Sequence, residues 1–152
     1  MAFLPIPLVK MSGAGNTFVL VDATKTSQHD DGRIGWRKLD IEKQLRIKRI
    51  PFVRMICDRT LGVSADGVLF LQDGENGTDY VWDFYNADGS SAAMCGNAAR
   101  CAALFASEYL SASLTGAYKF KTGAGEVTAQ VLGDERVRVL MPKVKDYQEF
   151  KN

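Results

Sequence analysis

The run from Ala98 to Leu110 constrains this chain most. It is built almost wholly from helix formers with small or apolar side chains, with alanine at 98, 99, 102, 103 and 106. A helix that is apolar on most sides has no broad face to offer water, so it must be enclosed by other elements. The flanking sequence supplies strands to enclose it. Leu8 to Met11, Phe18 to Asp22, Val68 to Leu71 and Tyr80 to Tyr85 read as strands ahead of it, and 117–122, 125–132 and 135–141 as strands after it. Gly133-Asp134 marks a tight turn between the last two. Pro51 suits the first turn of a shorter helix through Phe52, Val53, Met55 and Ile56. The class is therefore α+β, with enough strands for a sheet around the helix.

Residues 24–49 differ in character. They carry Lys or Arg at 25, 33, 37, 38, 43, 46, 48 and 49 against acids at 30, 31, 40 and 42. The expectation is a charged insertion with a solvated face. Net charge over the chain is only +1, which gives no electrostatic case for nucleic acid or an anionic membrane. No apolar run approaches the ~20 residues needed to span a bilayer. Pro5 and Pro7 interrupt the first residues, which do not read as a secretory signal. The expected location is cytoplasmic. Cys57, Cys95 and Cys101 form no CxxC pair, so neither a disulfide framework nor a zinc site is expected.

Cys95 stands directly ahead of the apolar helix, in Met94-Cys95-Gly96-Asn97. A thiol acts as base or nucleophile only as thiolate, and the unpaired N–H groups of a helix N-terminus favour that anion. The same groups could hold a carboxylate. Gly96 would let a ligand come close to the backbone, and Asn97 could cap the helix or donate a hydrogen bond. Free cysteine also serves as a small buried hydrophobe, and placement alone leaves both readings open. Cys101 lies about 240° further round the helix, which points to core packing. Cys57 reads as structural too. His29, the only histidine, sits in a polar loop. Gly13-Ala14-Gly15-Asn16 suggests a phosphate loop but fails both phosphate templates, because Phe18 stands where GxGxxG needs glycine and no GK[ST] follows.

Three blocks occur in order: Lys10-Met11-Ser12-Gly13-Ala14-Gly15-Asn16-Thr17-Phe18, Asp58 to Gly67 (DRTLGVSADG), and Asn86-Ala87-Asp88-Gly89-Ser90 through Met94 to Cys101. Together they resemble the amino-terminal domain of the diaminopimelate epimerases. The resemblance implies a half-open β-barrel wrapped around a central helix, one of two similar domains with the active site between them. It implies interconversion of LL- and meso-2,6-diaminopimelate without pyridoxal phosphate, other cofactor or metal. Each domain would contribute one cysteine, here Cys95. Gly96 and Asn97 would bind the α-carboxylate, and Asn16 and Asn86 would make further contacts to the amino-acid substrate. Thr17 stands where the family usually has Asp, and Gly67 where some members carry Gln.

The resemblance makes residues 1–152 the first domain, with the C-terminal domain absent. The chain alone is then expected not to epimerise. Two alternatives stay open: a racemase of another amino acid with the same fold, or a stand-alone half-domain that binds a ligand or partner, a second copy of itself included.

Overall fold

The computed structural model describes residues 8–24, 47–110 and 113–143. Seven strands form one mixed sheet in chain order: β1 (Val9–Gly13), β2 (Asn16–Asp22), β3 (Gly67–Asp73), β4 (Tyr80–Asn86), β5 (Ala117–Thr122), β6 (Gly125–Gly133) and β7 (Arg136–Leu140). Helix α1 (Arg49–Cys57) lies between β2 and β3 in sequence, and α2 (Gly96–Phe105) between β4 and β5.

Connection length sets the pairing. Short links make the antiparallel pairs β1–β2, β3–β4, β5–β6 and β6–β7. The parallel pairs β2–β3 and β4–β5 each need a crossover, and each crossover contains a helix. The β1–β2 link is a two-residue hairpin, with Ala14 at φ 50° and Gly15 at φ +92°. Positive φ at both central residues matches the strand twist, and glycine adopts it without strain. The Gly-rich loop is therefore a hairpin turn and precedes a strand.

Strand periodicity divides the apolar residues between two cores. Phe18 and Leu20 of β2, Leu69 and Leu71 of β3, Trp82 and Phe84 of β4, Phe120, Val127 and Ala129 gather around α2. Val19, Val21, Val68 and Phe70 point the other way, onto Phe52, Val53 and Cys57 of α1. Both faces of β2 and β3 are thus covered, which is why these strands read as continuous apolar runs. Burial of each large side chain contributes about 1.5–3 kcal/mol. Arg49 fastens the start of α1, donating to Asp83 at 2.5 Å with its guanidinium 4.6 Å from the Phe70 ring centroid.

Helix α2 contacts β1, β2, β3, β6 and β7. Ala98, Ala99, Ala102, Ala103 and Ala106 are fully enclosed, and their small side chains let the sheet curl close around the helix. Arg100 and Glu108 are exposed along one line of the helix, with half-buried Leu104 between them. This line looks out of the half-barrel. The expected single α-helix over 97–110 is modified at its end: after Phe105 the backbone widens into a π turn, Ala106–Leu110. Sequence periodicity carries no signal for that change, because both forms bury similar residues. Most of the expected 24–49 insertion, with His29, lies outside the described residues. Its last residue, Arg49, opens α1, and Thr24 is buried just after β2, its hydroxyl and N–H donating to Asp22 Oδ1 at 2.7 and 2.9 Å. Among the described residues, no helix is long and apolar enough to cross a membrane.

Candidate active site

Sheet register gathers the candidate residues at one end of the half-barrel. Asn16 opens β2, Gly67 opens β3, and Asn86 closes β4 opposite Gly67. Helix α2 begins at the same end, tied to β2 by Asn97, whose Nδ2 donates to Asn16 Oδ1 at 2.8 Å.

Cys95 is the N-cap of α2, with extended backbone (φ −147°, ψ 124°) and a side chain that makes no capping bond. Its carbonyl accepts the first helical bond, from the Ala99 N–H at 2.9 Å. The amides of Gly96, Asn97 and Ala98 come before that bond and have no intrahelical acceptor. No acidic residue occupies the first turn. The positive end of the helix dipole is therefore left to an outside anion, beside a half-buried thiol. Sequence reasoning allowed Asn97 to cap this helix. The structure gives that position to Cys95 and turns the Asn97 side chain across to Asn16.

The other two thiols are placed differently. Burial pushes the Cys101 thiol up to about 11, with a further contribution from the neighbouring Cys95 charge. Burial, then Asp66, does the same to Cys57, also to about 11. Both belong to the packed cores.

Two residues outside the expected set complete the site. The Asp66 carboxylate accepts the Thr17 N–H at 2.8 Å and its hydroxyl at 3.3 Å. The Thr17 N–H foremost, then the Asn16 and Thr17 side chains, hold the Asp66 carboxyl below its usual range. The Asp66 backbone also bonds Thr17 O and accepts the Ala87 N–H, at 2.8 and 3.0 Å. One residue thereby links the hairpin to the Asn86 loop. Arg100 Nη1 donates to Asn97 Oδ1 at 2.8 Å. The spacing of Arg100 from Asn97, one helical turn, was a signal available in the sequence. Asp66 carried no comparable signal, because its contact with Thr17 spans 49 residues.

Asn86 is held within its own loop, its Nδ2 donating to Ser90 Oγ at 3.0 Å, while Ser90 donates from N and Oγ to Asp88 Oδ1 at 2.8 and 2.6 Å. Arg54 of α1 braces this loop by donating to Asp88 O at 2.6 Å. The structure thus joins Asn16 and Asn97 directly, and reaches Asn86 through Asp66 and Ala87.

Close packing fixes the start of α2. A Cβ on Gly13 would lie 2.6 Å from Asn97 O and 3.1 Å from Cys101 Sγ. One on Gly67 would lie 2.7 Å from Tyr85 O and 2.8 Å from Phe84 Cε2, so a Gln there has no room without backbone movement. Gly96 has Met141 Sδ 3.4 Å from its Cβ position. Met141 and the preceding Leu140 are themselves 55% and 71% exposed, an apolar margin that reaches the helix start at Gly96.

The sequence of residues 8–146 matches the family model for diaminopimelate epimerase. The chain belongs to the diaminopimelate epimerase family. Epimerases are isomerases, and the curated relatives of this chain are named diaminopimelate epimerase. The chloroplastic diaminopimelate epimerase of Oryza sativa subsp. japonica is 37% identical over 133 residues, 88% of this chain and 33% of its own length. The Hydrogenobaculum enzyme is 36% identical over 143 residues, 93% of this chain and 47% of its own. The chain therefore spans a third to a half of the length of these two relatives. Among solved structures, a probable proline racemase from Agrobacterium radiobacter superposes with a TM-score of 0.56 at 16% identity, over 88% of this chain and 41% of that one. A hydroxyproline epimerase from Agrobacterium vitis gives 0.54 at 15%, over 88% and 40%. These two likenesses concern the fold, which they support as a racemase-type half-barrel.

Proposed function

We propose that this chain supplies one face of a cofactor-independent epimerase acting on 2,6-diaminopimelate, with Cys95 as its acid/base group. The observation that carries the reading is the thiol at the N-cap of α2, set beside first-turn amides that neither a side-chain cap nor an acidic residue occupies.

Those amides would bind the α-carboxylate of the substrate. In one direction the Cys95 thiolate takes the α-proton and becomes a thiol. The electron pair left on carbon spreads into the carboxylate, whose oxygens gain charge in front of the amides. An α-proton is so weakly acidic that donors preorganised at this point are needed to lower the barrier. A thiol on the opposite face then gives its proton to carbon and becomes the thiolate. In the other direction the two sulfurs exchange roles. Acid and base must stand on opposite faces for inversion, so a second group is required.

Cys101 and Cys57 are unsuited to that role, being buried with thiols raised to about 11. The second cysteine would come from a second half-barrel outside residues 1–152, seated against the open side. The exposed Leu140 and Met141 margin fits such a seat. The reading places the chain in the route to lysine and cell-wall precursor.

The test is α-proton exchange from diaminopimelate in D2O, followed by NMR, with stereochemistry read by chiral chromatography. The chain alone should give no sustained inversion. Addition of the carboxy-terminal half of a family relative should restore it, and Cys95→Ala should abolish it. Inversion by the isolated chain, or by the Cys95→Ala variant with the added half, would refute the assignment.

A further inference from the structure

Arg100 has only donors, so the Asn97 group that faces it at 2.8 Å must be the carbonyl oxygen. The Asn97 amide nitrogen then points the other way and donates to Asn16 Oδ1. With its oxygen engaged by Asn97, Asn16 has its amide nitrogen left to donate, and the Asn16 side chain helps hold the Asp66 carboxyl below its usual range. The cation at one end thus sets the direction of both hydrogen bonds in the row, Arg100 to Asn97 and Asn97 to Asn16.

We propose that Arg100 is a positioning residue which, by donating to Asn97, fixes both asparagine amides so that they offer N–H donors rather than carbonyl oxygens to the ligand in front of Cys95. Each amide nitrogen has two hydrogens, and the row uses one of those on Asn97. The remaining hydrogens select an acceptor group: a carboxylate rather than an ammonium. The inference rests on the epimerase reading for the identity of the ligand. It adds the device that sets donor polarity, with Arg100 as its origin. Arg100 is exposed and its guanidinium lies 3.9 Å from the Cβ position of Gly96, so it also adds positive charge over the helix start.

The experiment compares wild type, Arg100→Met and Arg100→Lys by NMR with 15N-labelled asparagine side chains. The amide signals are followed while meso-diaminopimelate, or 1,5-diaminopentane as a carboxylate-free control, is titrated. Wild type should bind diaminopimelate through the Asn16 and Asn97 amides and show no response to the diamine. Arg100→Met, which keeps the stem and loses the donors, should lose at least tenfold in affinity with its backbone spectrum otherwise retained. Arg100→Lys should stay within threefold. Equal affinity in wild type and Arg100→Met overturns the proposal, as does an equal response to the diamine. Failure of wild type to bind diaminopimelate removes the epimerase reading instead. The amide signals of the free protein then decide the positioning claim: it stands if Arg100→Met displaces them and Arg100→Lys does not, and falls if Arg100→Met leaves them unchanged.

Discussion

Asn97 and Asn16, 81 residues apart in the chain, meet through a 2.8 Å bond between their side-chain amides. That bond joins the start of the enclosed helix to the start of β2 and sets the thiol of Cys95 at the end of the half-barrel. Its polarity matters as much as its existence. Asn97→Asp replaces the donor with an oxygen that faces the Asn16 oxygen, whereas Asn97→Ala removes the pair. A net hydrogen bond contributes about 0.5–1.5 kcal/mol. Urea unfolding should therefore show Asn97→Ala down by about 1 kcal/mol. Asn97→Asp should lose the same bond but regain part of the difference, because its carboxylate faces the positive helix start and Arg100. An Asn97→Ala variant as stable as wild type would contradict the bond.

Gly13 allows β1 to approach α2 closely, and a methyl group there meets the Asn97 carbonyl at 2.6 Å. Overpacking of this kind costs about 1–3 kcal/mol. Gly13→Ala should lose that much stability in urea unfolding, and the displaced helix start should weaken diaminopimelate binding. A variant as stable as wild type would show that the contact can relax freely.

Gly67 faces the Tyr85 carbonyl and the Phe84 ring. Gly67→Gln should destabilise the chain by a similar 1–3 kcal/mol, since the side chain can be placed only by moving β3 from β4. Recovery of full stability would mean that this end of the sheet opens more easily than its packing implies.

Acid should unfold the chain through three carboxylates held below their ordinary range. Asp66 is lowered chiefly by the Thr17 N–H, Asp58 by the N–H groups of Leu61 and Thr60, and Asp88 by the Ser90 hydroxyl and N–H. When folded, each stays ionised to lower pH than it does in the unfolded chain. Their contribution is therefore complete above the unfolded value of about 3.9 and is lost as pH falls through the folded values. Asp66→Asn should be less stable than wild type at neutral pH, and the gap should close as pH falls below the ordinary carboxylate value of about 3.9. A constant gap in pH-dependent urea unfolding would assign the effect to packing instead.

Much of the fold was legible in the sequence because it is written in local patterns. The alanine run announced an enclosed helix, short apolar runs bounded by turn residues announced the strands, and Pro51 marked the turn at which α1 begins. The third block located Cys95, Gly96 and Asn97 at a helix start. What could not be read was relational. Strand order depends on which crossovers carry helices, and the π turn after Phe105 buries the same side chains as an α-helix would. Asp66 stood in the second block with no role of its own, and only its approach to Thr17 across 49 residues gives it one. Arg100 stood in the third block with no role of its own, and the Asn97 carbonyl turned toward it supplies one.

The most direct measurement of the central claim is mass-spectrometric mapping of iodoacetamide labelling at pH 8, with and without diaminopimelate. Cys95 should be labelled in the folded chain, while Cys57 and Cys101, buried and raised to about 11, should be spared. Diaminopimelate should slow the labelling of Cys95, and 1,5-diaminopentane should not. Labelling spread over all three thiols, or a Cys95 rate indifferent to diaminopimelate, would contradict the account.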